Sequence, residues 1–233
     1  MDKVDVDKSN TNKLLFKFVP MYSILPICLY ILVYCVTYFG SGFIIKYFNM
    51  KMHYPGIFID NYIPYVSLFV IPYCLFYLYI VLGPVLVARY SEYFFYRFIL
   101  AGIIGSCIGF VTFLVKPTHV VLNQIIPSNF LDHILIFLRS CDYSARCCPS
   151  FHCFLAALVF ISIASCNNIK YEIKVKSFII SFLIILSTVL IKQHVIIDSL
   201  SGVLLAVISW NLAKNDKYIE KLKTIFKKIN DRK

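Results

Sequence analysis

Charge is what this sequence has least of. Only 15% of its 233 residues are Asp, Glu, Lys or Arg, against about a quarter in a typical soluble domain. Just twelve are acidic. Glycine (8) and proline (9) are also scarce, which excludes a collagenous or low-complexity chain. No fixed-period internal repeat is present, so solenoids and propellers are excluded as well. Apolar residues fill the space left by charge, at 60% with a mean hydropathy of +0.77. That is too apolar for an ordinary soluble fold and far from the composition of disorder.

Long runs without any charged side chain set the class. They cover 18–45, 61–88, 98–115 and 147–169, followed by two shorter ones at 177–191 and 199–213. A membrane-crossing helix needs about 20 mostly apolar residues. The runs predict an all-α bundle of six transmembrane helices near 19–45, 62–88, 97–115, 151–168, 175–191 and 194–212. The first run is too long for a signal peptide and has no small-residue cleavage site after it, so it is expected to stay as a span. The division that follows is an N-terminal segment 1–18, a six-span domain 19–212 and a basic tail 213–233.

The net charge of +11 then reads as orientation. Of the 23 Lys and Arg, 17 fall in the N-terminal segment, the loops after spans two and four, and the tail; Lys46, Lys51, Lys116, Arg139, Arg146 and Lys192 fall on the other side. The positive-inside rule makes both termini cytoplasmic. Nucleic acid is a poor partner for cations distributed in this way; the bilayer itself is the expected one. In the tail, Tyr218, Ile219, Leu222, Ile225, Phe226 and Ile229 recur at helical spacing. This describes either an interfacial amphipathic helix or, as we prefer, a plain cationic anchor.

Polar residues beside spans are costly and mark function. Two clusters map to the outer face: Cys147-Cys148-Pro149-Ser150-Phe151-His152, and the stretch from Ser187 to Asp198 that contains Lys192 and His194. His194 and Asp198 stand four residues apart, one turn of a helix. A carboxylate there would fix one imidazole nitrogen as N–H and leave the other as a nucleophile. His152 opens another span, two residues after Ser150, where helix N–H groups favour an anion. Lys116, Arg146 and Lys192 supply cations on the same side. Together these groups suit phosphoryl transfer without a metal. Taken singly each has an ordinary explanation: an interfacial histidine, an N-capping aspartate, solvated loop cations.

At these residues the chain resembles the type 2 phosphatidic acid phosphatase family, relatives of the vanadium haloperoxidases, whose motifs are K-x6-RP, PSGH and SR-x5-H-x3-D. Pro149-Ser150-Phe151-His152 looks like the second motif, and Ser187-Thr188, five residues, His194, three residues and Asp198 look like the third. The segment from Asp60 to Tyr65, continuing to Pro72-Tyr73, resembles a bacterial branch similar to inositol phosphorylceramide synthases. The resemblance covers roughly Asp60 to Trp210. It implies a haloperoxidase-like helical fold and no cofactor. His194 would attack phosphorus, Asp198 would orient it, and His152 would protonate the leaving alcohol. Ser150 and the Phe151 N–H would hold phosphate oxygens. Three departures stand out: Phe151 replaces glycine, Thr188 replaces arginine, and no Arg-Pro follows Lys116. Lys116, Arg146 and Lys192 are the candidates to meet the phosphate charge.

The activity this implies is hydrolysis of a lipid phosphomonoester or diphosphate at the extracytoplasmic face of a cell membrane. Two rivals are transfer of a phospho-headgroup to an acceptor alcohol, and a non-catalytic scaffold or transporter. Five of the nine cysteines lie in spans as small apolar fillers. Cys141, Cys147, Cys148 and Cys153 gather near the outer site at a spacing that matches no common zinc pattern, so no metal is expected. An outer-face disulfide remains open. Gly102, Gly105 and Gly109 form a small-residue face expected to pack within the bundle.

Overall fold

The computed structural model describes residues 19–122, 124–141 and 146–230. The expected 1–18 segment and the last tail residues lie outside them, as does the side chain of Cys141. Among the described residues there are eight α-helices and no strand. They are α1 Met21–Tyr47, α2 Val70–Tyr90, α3 Glu92–Val115, α4 Phe130–Cys141, α5 Phe151–Ser165, α6 Tyr171–Leu190, α7 Ile196–Leu212 and α8 Asp216–Asn230. Short 3₁₀ turns stand at Phe58–Asn61 and Ser67–Phe69. Two isolated bridges tie Thr118 to His53 and to Arg146.

Four helices are long and apolar enough to cross a membrane: α1, α2 with its leading turn, α3 and α6. A fifth arises if α7 and α8, bent by 85° at their junction, count as one. The chain therefore has the makeup of a multi-pass membrane protein. The two expected spans that fall short, α5 at 15 residues and α7 at 17, would reach only about 22–26 Å at 1.5 Å per residue, below a hydrocarbon core of about 30 Å. Both begin at the polar cluster, and their N-terminal ends are spent on the site rather than on lipid.

α5 is apolar on every side, the signature of a helix surrounded by others. Phe151 through Val159 are all buried, against α7, α6, α2 and α3. Between helices in lipid the hydrophobic effect does little, and close packing on small residues replaces it. The glycine face of α3 does this inside the bundle, as expected. A Cβ on Gly102 would lie 2.5 Å from the Tyr30 ring, on Gly105 2.2 Å from Phe154, and on Gly109 2.2 Å from Phe151.

Three elements differ from expectation. The region between the third and fourth spans holds α4, a strongly amphipathic helix rather than plain loop. Its Leu135 is buried with Val70, Tyr73 and Ile191. Second, span two starts later than the expected 62; α2 begins only at Val70, after Pro64, and Pro84 lies deep in it. Third, the tail helix α8 docks on the protein. Ile219 and Phe226 are buried, Phe226 stacks on Tyr96 of α3 with centroids 6.2 Å apart, and Lys223 pairs with Glu92 at 2.8 Å. Neither a free lipid-facing helix nor a bare anchor describes it.

Candidate active site

The two polar clusters meet at one end of the bundle. α6 ends in two hydrogen bonds that define a Schellman cap: Gln193 N–H donates to the Thr188 carbonyl and Lys192 N–H to that of Val189, both at 3.0 Å. This cap places its third residue in the left-handed region, and Lys192 occupies it at φ 57° where glycine is usual. A left-handed non-glycine residue costs about 1–2 kcal/mol. The Lys192 Nζ offsets this by donating to the Asp60 carbonyl at 2.9 Å. Thr188 is buried, accepts from His194 N–H as well, and contacts Ser199 through its hydroxyl at 3.1 Å. It shapes the turn.

The chain then turns into α7, which starts at Ile196. His194 therefore precedes the helix, and the expectation that it shares a helix face with Asp198 is corrected. Asp198 is the third residue of α7, and its carboxylate reaches back over the N-terminus. Its Oδ2 accepts from Val195 N–H at 3.2 Å and faces His194 Nδ1 at 3.3 Å. The pairing arises from an N-terminal capping geometry, where anionic groups are favoured. His194 is 9% exposed and Asp198 is fully buried. With Nδ1 turned to the carboxylate, Nε2 is the nitrogen left for chemistry.

His152 approaches from α5. Its ring centroid is 5.9 Å from that of His194, close enough for one tetrahedral phosphate to touch both imidazoles. Stacking on Tyr73 at 4.7 Å and a tilted contact with Phe76 at 4.5 Å hold the ring. Ser150 caps α5, its hydroxyl accepting from Cys153 N–H at 3.4 Å, while its own N–H donates to the Asp198 carbonyl at 2.9 Å. That bond joins α5 to α7 directly. Gly202 makes the approach possible, since a Cβ there would lie 2.3 Å from the Ser150 carbonyl oxygen. Phe151 points its ring away from the site, between Tyr38, Phe113 and Gly109. Gly109 leaves room for this ring, and the Phe151 N–H stays in the first turn of α5, where a helix offers no internal acceptor.

The candidate cations separate. Arg146 is buried, stacks on Tyr38 at 4.0 Å and donates to the Tyr38 carbonyl at 2.7 Å. It clamps α1, and a Cβ on Gly42 would collide with its guanidinium. Lys116 is exposed at the end of α3. Lys192 lines a cavity of about 430 Å³ with His194, Val195, Asp60, Asn61 and Tyr54. A second cavity, of about 590 Å³, is lined by Ile59, Tyr62, Phe182, Leu186 and Leu200, and shares Ile63 and Val189 with the first.

Four residues at this end carry more than the sequence suggested. Asp60 ties the 3₁₀ turn to α7: Oδ2 accepts from Ile57 N–H at 2.7 Å and Oδ1 from Ile196 N–H at 2.9 Å. Arg139 of α4, expected to be a solvated loop charge, donates to the Ile191 carbonyl at 3.0 Å behind the His194 turn. Burial pulls its pKa down, and Tyr65 and Tyr73 lie within electrostatic reach. Tyr73 stacks on His152. Cys147 lies within 4.8 Å of ligand atoms of both His194 and Asp198. The cysteine cluster was the visible signal for it. No disulfide joins the eight described cysteines to one another, so the outer disulfide left open above is not formed among them.

Fold and cluster together define an all-helical protein with the makeup of a membrane protein and a buried His–Asp pair facing a second histidine. Protein-family models, curated proteins and solved structures all give no match to the chain. The geometry alone carries the functional reading.

Proposed function

We propose that the protein is an integral-membrane lipid phosphatase, removing phosphate from a lipid phosphomonoester or diphosphate through a phosphohistidine, without a metal. The observation that carries this is the His152–His194–Asp198 arrangement, two imidazoles 5.9 Å apart with a carboxylate on one of them. In the first step His194 Nε2 attacks phosphorus, the ester P–O bond breaks, and His152 gives its proton to the leaving alkoxide. Asp198 steadies the charge that grows on His194. In the second step His152 takes a proton from water as its oxygen attacks phosphorus, and the P–N bond breaks. Ser150, the Phe151 N–H and Lys192 are the proposed phosphate ligands, with Arg139 in place of Arg146. Lys116 would meet the substrate at the mouth.

A lipid substrate is favoured by the join between the two cavities. The one beside His194 carries the polar groups, and the one sharing Ile63 and Val189 with it is apolar. The full reading has six spans, with α5 and α7 as short ones, both termini cytoplasmic and the site on the extracytoplasmic face of a cell membrane. The charge distribution supports it: Arg97, Lys170, Lys214 and the tail lie at the end opposite His194. Phosphotransfer to an acceptor alcohol is the second reading, since the same phosphohistidine serves either acceptor.

Phosphate release in detergent from a panel of lipid phosphates, with chelator present, tests the proposal. His194→Ala is expected to lower turnover at least about 10³-fold with an unchanged Tm. Surviving activity would overturn the mechanism. Headgroup exchange between two lipids without phosphate release would select the transferase.

A further inference from the structure

Cys147, His194 and Asp198 come from three separate pieces of chain: the loop before α5, the α6–α7 turn and the first turn of α7. All three are buried, and one ligand atom from each lies within 4.8 Å of the others. Tetrahedral zinc has bonds of about 2.0–2.3 Å to S, N and O, which sets its ligands about 3–4 Å apart. The most distant pair needs to close by about 1–2 Å to reach that. A second observation points the same way. Asp198 Oδ2 is engaged by His194 and Val195, while its Oδ1 is buried and makes no hydrogen bond. The Cys148 thiol, itself against the Ser201 hydroxyl at 3.2 Å, is the further side chain within reach of this carboxylate.

We infer that Cys147, His194 and Asp198 form a binding site for one soft divalent cation, zinc or cadmium, and that its occupation switches the site off. The thiolate selects a soft ion over magnesium or calcium, which prefer oxygen alone. On binding, the Cys147 thiol loses its proton, which is released to solvent, and no electrons move. The cation takes the Asp198 carboxylate away from its task of orienting His194, and occupies an imidazole nitrogen. Nothing in the resemblance implies a cysteine at this place.

The test of binding needs no substrate and stands or falls separately from the phosphatase reading, on which only the switching-off rests. Full-length protein in detergent is titrated with Cd²⁺, following the ultraviolet thiolate-to-cadmium charge-transfer band and the bound metal per chain. We expect one tight equivalent, weakened at least tenfold by Cys147→Ser and by His194→Gln, and kept by Cys148→Ser. If Cys147→Ser fails to fold, His194→Gln carries the same expectation. No tight equivalent, or one that withstands the loss of both ligands, overturns the site. A tight equivalent lost in Cys148→Ser but kept in Cys147→Ser also overturns it, moving the metal to the wrong thiol.

Discussion

Arg146 and Arg97 are the same device at opposite ends of the bundle. Each is buried, each stacks on an aromatic ring and each donates to that residue's own carbonyl. Arg146 does so to Tyr38 at 4.0 and 2.7 Å, and Arg97 to Trp210 at 4.1 and 2.9 Å. One stands at the histidine end and the other beside the docked tail, yet neither geometry leaves its guanidinium committed to a ligand. A buried arginine in such a bundle is first a clip between helices. What separates the two ends is not cation content. At the histidine end, carbonyls and N–H groups of different helices bond directly, as Ser150 does to Asp198. At the other end, long side chains join α3 and α8, Lys223 of α8 to Glu92 and Tyr93 of α3 to Asp216.

The largest effect that would sharpen this contrast is expected at Arg139, which joins α4 to the His194 turn. If it supplies the phosphate cation that Arg146 does not, Arg139→Ala removes a charge-assisted hydrogen bond of about 1.5–3 kcal/mol. The expected loss is about 10–100-fold in kcat/KM, read from phosphate release. Next come the two clips themselves. Arg146→Ala and Arg97→Ala are each expected to cost about 1–3 kcal/mol of stability, from the abandoned carbonyl and the lost packing. Thermal unfolding in detergent should show both, with KM unchanged in each. A KM that rises in Arg146→Ala alone would break the equivalence and return that residue to the phosphate.

Most of the helical layout was legible because long charge-free runs have few alternatives. The runs were read correctly as helices, but α5 stops at Ser165, short of the expected 168, and α7 starts at Ile196, where the Asp198 cap sets its first turn. The pairing of His194 with Asp198 was legible from spacing, although the geometry is a cap and not a helix face. The packing of Arg146, Arg139 and Cys147 was not legible, because it depends on which helix passes beside them. Helix α4 hid for a related reason. It is short and carries Asp132, His133 and Arg139, so no charge-free run betrays it.

That helix gives a smaller effect, set by pH. The Tyr65 hydroxyl donates to Asp132 Oδ1 at 2.6 Å, and the Ser128 and Asn129 N–H groups donate to Oδ2. The Tyr65 bond, then the Ser128 N–H, hold the Asp132 carboxyl below its usual range. A carboxyl depressed in the folded state contributes stability above its unfolded pKa of about 3.9 and loses it as pH falls through the lower folded value. Acidification below about pH 4 should therefore loosen α4 first, seen as faster amide exchange over Phe130–Cys141. Asp132→Asn should give the same loosening at neutral pH.

The smallest effect belongs to the opposite end. Lys223 and Glu92 pair at 2.8 Å, but both side chains are more than a third exposed. The Glu92 carboxylate raises the Lys223 pKa, yet solvent screening leaves such a pair about 0–1 kcal/mol. Lys223→Met should shift Tm by a degree or two at low salt and by nothing measurable at high salt. Docking of α8 would then rest on Ile219 and Phe226, whose burial salt does not weaken. A large, salt-sensitive loss on Lys223→Met would mean that the tail is held by charge after all, and the two ends would differ more than their arginines suggest.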